Sequence, residues 1–213
     1  KINIPLMETQ HINTGKIVSS PTDTTWAQAY SAGKLYTVLS FEGNTDSGLA
    51  SLGKETIEKL QREFFALDNK SLAAIKKSVE TVVADIPKDI SYSFVLATVV
   101  DSVVYLVLAG LGHVVLKRDN KTSIIATGEE GLITTFSGKY EPQDIFLLET
   151  DSFLKTLSIE KIKKGLDEKT PHEISENLAL VMHEKSTGLE AGLVIHLGGH
   201  HTQIAEELTT SDE

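Results

Sequence analysis

The sequence predicts an α+β fold: two antiparallel sheets packed together with helices on both outer faces, a four-layer α-β-β-α sandwich. Strand-like segments occur in two blocks, and each block is followed by helix-like segments with apolar residues at helical spacing. Tight turns within the blocks make neighbouring strands antiparallel. Each sheet has to bury its apolar faces, so alternating blocks of strands and helices favour stacked layers.

The first block is a hairpin that precedes two helices. The turn Ser31-Ala32-Gly33 joins its two strands. Ser71 is suited to be the N-cap of the second helix. Trp26 lies in the hairpin, where a single tryptophan is more often a core residue than a platform for a ligand. The predicted segments are a strand-like region at 1–20, strands at 27–30 and 34–41, and helices at 49–67 and 71–84.

The second block is a run of short strands that leads to two more helices and a final strand. Its turns include Asp101-Ser102 and Gly110-Leu111-Gly112, and His113 beside the latter is predicted to be exposed. The predicted strands are 92–99, 103–109, 114–118, 123–126, 132–136 and 145–148. The remaining predicted elements are helices at 159–166 and 172–184 and a strand at 193–197.

Length and composition limit the class of protein. The 213 residues suit one domain over 1–198, followed by a polar acidic tail or linker at 199–213. A net charge of −10 argues against nucleic-acid binding. Cysteine is absent, which excludes disulfides and thiolate chemistry. The cellular compartment stays open, with the cytoplasm slightly favoured. The apolar region 94–116 is interrupted by polar residues and glycines, so no membrane segment is expected in this chain.

Three groups of residues are candidates for chemistry. Glu149, Thr150 and Asp151 directly follow the apolar strand 145–148. Acids at that position fit a metal or phosphate site, but they also fit a strand that returns to solvent, and Asp151 could instead cap a helix. The loop 43–48 could bind an anion through its backbone N–H groups, although it lacks a lysine. The third group could bind Zn²⁺ or Ni²⁺ or simply belong to the tail: His196, His200 and His201.

The order and spacing of these segments resemble the metal-dependent protein phosphatase 2C (PPM) family from about Gly15 to Leu197. The family motif Gly-Asp-x-x-x-Leu-x-Ser-Asp-Gly-Leu is similar to residues 143–153, and its metal-ligand aspartate is retained as Asp151. The motif Gly-x-x-Arg-x-x-Asn-Glu-Asp is similar to residues 15–23, and its last residue is retained as Asp23. The resemblance therefore implies that Asp23 and Asp151 are residual metal ligands.

Other family positions are replaced. The phosphate-binding arginine falls on Val18, the metal-bridging aspartate on Ser40, and the closing aspartate on Leu189. The family's Gly-Asp-Ser-Arg turn falls on residues 110–113. Three nearby carboxylates could substitute in principle: Glu42, Asp46 and Glu190.

The resemblance implies a mechanism that this sequence is poorly equipped to perform. Two Mg²⁺ or Mn²⁺ ions would activate water and neutralise a phosphate, and such ions need several oxygen ligands. We therefore expect a pseudophosphatase that binds no cofactor and acts as a regulatory or protein-interaction module, as part of a longer protein. The alternatives are a divergent but active Mg²⁺- or Mn²⁺-dependent Ser/Thr phosphatase and a purely structural fragment.

Overall fold

The computed structural model describes residues 9–168 and 170–201, and the side chains of residues 11–168 and 170–198. In chain order the strands are Thr9–Val18 (β1), Thr25–Ala32 (β2), Leu35–Glu42 (β3), Ser91–Val100 (β4), Val103–Gly110 (β5), His113–Arg118 (β6), Lys121–Thr127 (β7), Ile133–Lys139 (β8), Ile145–Glu149 (β9) and Ala191–His201 (β10). The helices are Leu49–Phe65 (α1), Leu72–Val83 (α2), Asp151–Thr156 (α3), Ile159–Gly165 (α4) and Pro171–His183 (α5).

The strands form two five-stranded sheets, and every pairing is antiparallel. The first sheet has the order β1-β10-β9-β6-β7, and the second has the order β2-β3-β4-β5-β8. Helices α1 and α2 cover the second sheet, and the three later helices cover the first. This is the predicted α-β-β-α sandwich.

Strand alternation explains why both faces of each sheet are buried. In β3, Val38 belongs to the cluster between the two sheets, and its neighbour Leu39 belongs to the cluster under α1 and α2. In β9, Leu148 faces the other sheet, and Leu147 faces the helices of its own side. A strand between two covered faces must be apolar at consecutive positions, which accounts for the continuous apolar runs in β3, β4 and β9.

Local chemistry fixes where the helices begin. The Ser71 hydroxyl accepts a hydrogen bond from the Ala74 N–H at 3.2 Å, as its predicted N-cap role requires. Thr170 and Glu173 form a capping box at the start of α5, where Pro171 occupies the first turn. All four predicted helices are present, with ends that differ from the predicted ones by at most two residues.

The structure corrects three details of the sequence analysis. Residues 151–156 form the short helix α3, which the sequence analysis did not predict; Thr150 is its N-cap residue in extended conformation and makes no side-chain capping hydrogen bond. Strand β10 continues to His201 through its pairing with β1, so the predicted tail begins three residues too early. His113 is not exposed: it opens β6 with only 14% of its side chain accessible. The side chains of His200 and His201 lie outside the described residues.

The apolar region 94–116 forms most of β4, all of β5 and the start of β6. Among the described residues, no helix is long and apolar enough to cross a membrane.

Trp26 packs between the second sheet and α1, as expected of a core residue. Its ring stacks on Phe41 with centroids 5.6 Å apart. On the helix side, Gly53 leaves room for the indole, because a Cβ atom there would lie 2.2 Å from the ring. The helix can approach the sheet this closely only with glycine at this position.

We expect Gly53→Ala to destabilise the protein even though alanine is the better helix former. Helix propensity would favour alanine by about 1 kcal/mol, but overpacking costs about 1–3 kcal/mol, and the clash here is with a large ring. The measurement is the free energy of unfolding from urea titration. Ser51→Ala, at an exposed position of the same helix, should leave stability unchanged or slightly higher. An increase in stability for Gly53→Ala would contradict this account.

Candidate functional site

A cleft of about 540 Å³ opens at one end of the sandwich, where strands of both sheets terminate. The end of β3 contributes Ser40 and Glu42, and the start of β4 contributes Ser93. Asp151, the first residue of α3, and Leu189, just before β10, complete the opposite wall. Backbone groups at strand ends leave the ladder, so polar side chains can collect here without disturbing the core.

Asp151 is held from both sheets. Its N–H donates to the Ser93 hydroxyl at 3.3 Å, and that hydroxyl in turn donates to the Leu111 carbonyl. The Asp151 carboxylate lies 2.5 Å from the Lys155 ammonium and 3.5 Å from His113 Nε2. The carboxylate is therefore paired with one cation of the protein, the Lys155 ammonium, and lies next to the imidazole of His113.

Lys155 is the partner that the sequence analysis did not consider. It lies one helical turn after Asp151, so α3 places both side chains on the same face. The i,i+4 spacing of an acid and a lysine was visible in the sequence. Recognising its effect required knowing that residues 151–156 are helical.

Glu149 is the least expected group near the cleft. Its side chain is fully buried, and neither carboxylate oxygen has a hydrogen-bond partner among the described residues. Burial raises the pKa of Glu149 to about 8. The strand therefore does not return to solvent here, as one interpretation of the sequence proposed.

His113 lies directly opposite Glu149 in the β6–β9 pairing, so the two side chains share one face of the sheet. Burial lowers the pKa of His113, and the hydrogen bond and charge of Asp151 partly oppose that effect. The Nδ1 atom of His113 has no hydrogen-bond partner among the described residues. Neutral forms of both His113 and Glu149 are thus favoured at this end of the sheet.

The positions that depart from the family pattern do contribute to this end of the molecule. Ser40 lies beside Ser93 on the neighbouring strand and is 5% exposed. Leu189 lines the cleft with an apolar side chain. Val18 lies at the end of β1 and packs against the inter-sheet core. None of the three presents a carboxylate or a guanidinium to a phosphate.

The other carboxylates considered as metal ligands do not converge on Asp151. Glu42 lines the cleft, whereas Asp46 and Asp23 lie in exposed loops and do not line it. Glu190 is completely buried, and the backbone N–H groups of Thr187, Gly188 and Leu189 donate to its carboxylate.

Glu190 serves to fold the loop before β10. Besides the backbone donors, the hydroxyls of Thr187 and Thr156 each donate to its Oε1 at 2.9 Å. Burial alone would raise the pKa of Glu190, but these hydrogen bonds lower it on balance. The carboxylate is therefore ionised and fully occupied, and it is not available to a metal in the cleft.

Parts of the other two candidate groups have partners within the described residues, whereas the side chains of His200 and His201 lie outside them. His196 Nε2 lies 2.9 Å from the Gln143 side-chain oxygen. In the loop 43–48, the Gly43 N–H donates to the Thr24 carbonyl and the Gly48 N–H donates to the Thr45 carbonyl. These N–H groups are therefore not free to bind an anion.

The donor set does not fit the two-metal centre that the family resemblance implies. Nowhere in residues 11–168 and 170–198 are three histidine, aspartate or glutamate side chains placed to hold a metal ion. Two hard cations require several oxygen ligands each. The carboxylates that line the cleft, those of Glu42, Glu130 and Asp151, do not form such a group among the described residues, and Asp151 is paired with Lys155. That Asp23 and Asp151 act as residual ligands stays a prediction.

We expect Glu149→Gln to stabilise the protein increasingly as the pH rises. The folded-state pKa of Glu149 is about 8, above the ordinary value of 4.5, so the wild type loses stability between those two pH values while the amide does not. The difference in unfolding free energy should grow by about 3 kcal/mol from pH 4.5 to pH 7. Denaturant titrations at several pH values measure it, with Glu184→Gln at an exposed site as the control. A gap that is independent of pH would show that burial does not keep Glu149 neutral.

No family model and no curated protein matches the sequence, but solved structures do match its architecture. The PPM Ser-Thr phosphatase MsPP of Mycobacterium smegmatis, in complex with cacodylate, is 14% identical, with a TM-score of 0.67 over 89% of this chain and 98% of that one. PppA of Pseudomonas aeruginosa, a key regulatory component of T6SS, is 14% identical, with a TM-score of 0.70 over 89% and 98%. The catalytic domain of the phosphatase PstP, solved with two manganese ions, is 14% identical, with a TM-score of 0.68 over 88% and 97%. The chain therefore has the PPM, or protein phosphatase 2C-like, fold that its sequence pattern predicted.

Proposed function

We propose that this chain is a catalytically degenerate phosphatase 2C-like domain that acts as a regulatory or protein-interaction module. The observation that supports it best is the state of Asp151. The one metal-ligand residue retained in the best-conserved motif is paired with Lys155 at 2.5 Å and with His113 at 3.5 Å. A cation in that position would have to displace an ammonium group that the chain itself supplies.

The neighbouring positions support the same proposal. In the family, the residue corresponding to Ser40 bridges two metal ions, and a neutral hydroxyl neutralises little charge on a dication. Leu189 adds no ligand, and Glu190 beside it is bound within its own loop. The PstP catalytic domain, in contrast, was solved with two manganese ions. The loss of ligands is therefore concentrated where the reaction would take place.

A regulatory role is consistent with a structural relative. PppA is described as a regulatory component of T6SS, and a fold that keeps its complete scaffold without the metal ligands can still present surfaces to a protein partner. The alternative of a divergent active phosphatase has one supporting feature: three carboxylates, those of Glu42, Glu130 and Asp151, line the same cleft. It requires these three carboxylates to hold two ions, although among the described residues they do not form a group that could hold one, and Asp151 is already paired with Lys155.

We expect the protein to show no Mn²⁺-dependent hydrolysis of p-nitrophenyl phosphate or of phosphopeptides. The reason is the missing binuclear centre, since the water and the phosphate would lack their activating cations. Steady-state assays with Mn²⁺ and with Mg²⁺ measure this. Turnover that disappears in Asp151→Ala would contradict the proposal and favour the active alternative.

We further expect that restoring two family carboxylates creates a metal site. Isothermal calorimetry should show no specific Mn²⁺ binding to the wild type and saturable binding to the double variant Ser40→Asp/Leu189→Asp, because Asp151 then has two more oxygen ligands beside it. The control is Ser91→Asp/Leu111→Asp, which adds the same charges to other residues of the same cleft. Equal binding by both double variants would indicate a general charge effect, and tight binding by the wild type would contradict the proposal. Thermal unfolding confirms that each variant folds.

A further inference from the structure

The outer edge of β8 is open. This strand is the last of its sheet, and within the described part of the chain it pairs only with β5. The residues just beyond the two ends of β8 bond toward β5. The Leu132 carbonyl accepts a hydrogen bond from the Gly110 N–H, and the Tyr140 N–H donates one to the Ser102 carbonyl. Hydrogen-bonding direction alternates along an antiparallel strand, so Thr135 and Ser137 present their N–H and C=O groups away from β5.

This edge lacks the usual protection against pairing with another chain. β8 pairs with β5 over seven consecutive residues without a register shift, whereas the corresponding edge of the other sheet is irregular, with a shift between Val114 and Val115 in the β6–β7 pairing. The sequence Ile-Thr-Thr-Phe-Ser-Gly-Lys contains no proline, and Lys139 is its one charged residue. Natural edge strands commonly carry bulges, prolines or several charges that prevent strand addition.

A cavity of about 260 Å³ lies beside the open edge, between the two sheets. Val104, Leu106 and Phe146 form its apolar floor, and all three belong to the inter-sheet core. Gly138 lies opposite Val104 on the same inward face, and a Cβ atom built there meets no atom within 4 Å. The missing side chain at Gly138 therefore leaves the core open at this edge.

The size and charge of the cavity indicate what could fill it. Pockets for small molecules usually measure about 300–1,000 Å³, so this cavity is suited to one large side chain rather than to a cofactor. Arg118 at its rim is neutralised by Asp144 and Glu141. Lys139 is exposed and forms no ion pair with the described residues, which favours an acidic group next to the apolar one.

We propose that the edge of β8 binds an extended segment of a protein partner, which adds as a sixth strand and inserts one bulky apolar side chain into the cavity beside Gly138. The backbone groups of Thr135 and Ser137 supply the hydrogen bonds. Because Gly138 faces inward and Lys139 faces outward, the bound segment should carry an acidic residue directly next to its apolar anchor. The inference rests on the proposed role as a protein-interaction module and names the chemistry of the partner.

The test uses a fluorescein-labelled synthetic peptide, Thr-Val-Thr-Phe-Asp-Val-Thr, with its termini blocked. Fluorescence anisotropy should show saturable binding to the whole chain, and NMR should show amide shifts at Thr135 and Ser137. Gly138→Val fills the cavity without a backbone penalty and should weaken binding by about tenfold or more. Replacing the peptide phenylalanine with alanine should have a similar effect, and Lys139→Glu should weaken binding severalfold.

The matched control is Thr122→Val, which adds an apolar residue on the neighbouring edge strand β7. Thr122 pairs with Lys117, whose ammonium reaches the end of α4, so its side chain faces away from the cavity. The control variant should bind like the wild type. Absence of saturable binding, or equal binding by Gly138→Val, would overturn the proposal.

Two other outcomes would assign the edge to a different occupant and also overturn the proposal. One is saturable binding of decanoate that Gly138→Val weakens, together with no binding of the peptide. The other is a concentration-dependent dimer in sedimentation that Gly138→Val abolishes. The phosphatase assay on the same preparation is independent of all these measurements, so failure of strand addition and failure of the pseudophosphatase proposal can be told apart.

Discussion

The inner strands of each sheet bury both of their faces, and the rest of the structure follows from that constraint. One face packs on the other sheet and the opposite face packs under helices. Charged side chains can therefore be accommodated most easily where strands end or where a sheet has an edge. The cleft around Asp151 lies at the strand ends, and the cavity beside Gly138 lies at an edge. Both candidate functional regions are thus places where the burial of two faces is incomplete.

The same constraint explains why the fold was predictable from the sequence. Continuous apolar strands such as β4, separated by tight turns, and helices with one apolar stripe leave few arrangements other than stacked layers. The elements that were missed are those whose formation depends on contacts distant in sequence. Helix α3 is only six residues long, too short for periodicity to be visible. The end of β10 is set by its pairing with β1, which lies at the opposite end of the sequence.

The candidate site was predictable in its residue types but not in its electrostatics. The loss of carboxylates at Ser40 and Leu189 could be derived by comparing spacing with the family motif. The environments of three acidic residues could not be derived from the sequence. Glu149 is buried because β9 lies between β6 and β10, Glu190 is ionised because a loop wraps its carboxylate, and Asp151 is neutralised because α3 brings Lys155 to it. Burial and pairing are properties of the assembled layers, and sequence spacing describes only neighbours along the chain.

Loss of a metal centre would destabilise a protein whose carboxylates converge on it, because like charges at close range repel. Here the chain removes that cost locally. Ser40 and Leu189 carry no charge, Glu149 is held neutral by burial with its pKa at about 8, and the remaining Asp151 has a lysine and a histidine beside it. At these four positions, the negative charge is absent, suppressed by burial or paired with a cation of the protein. These four positions therefore need no cation to limit the repulsion between them.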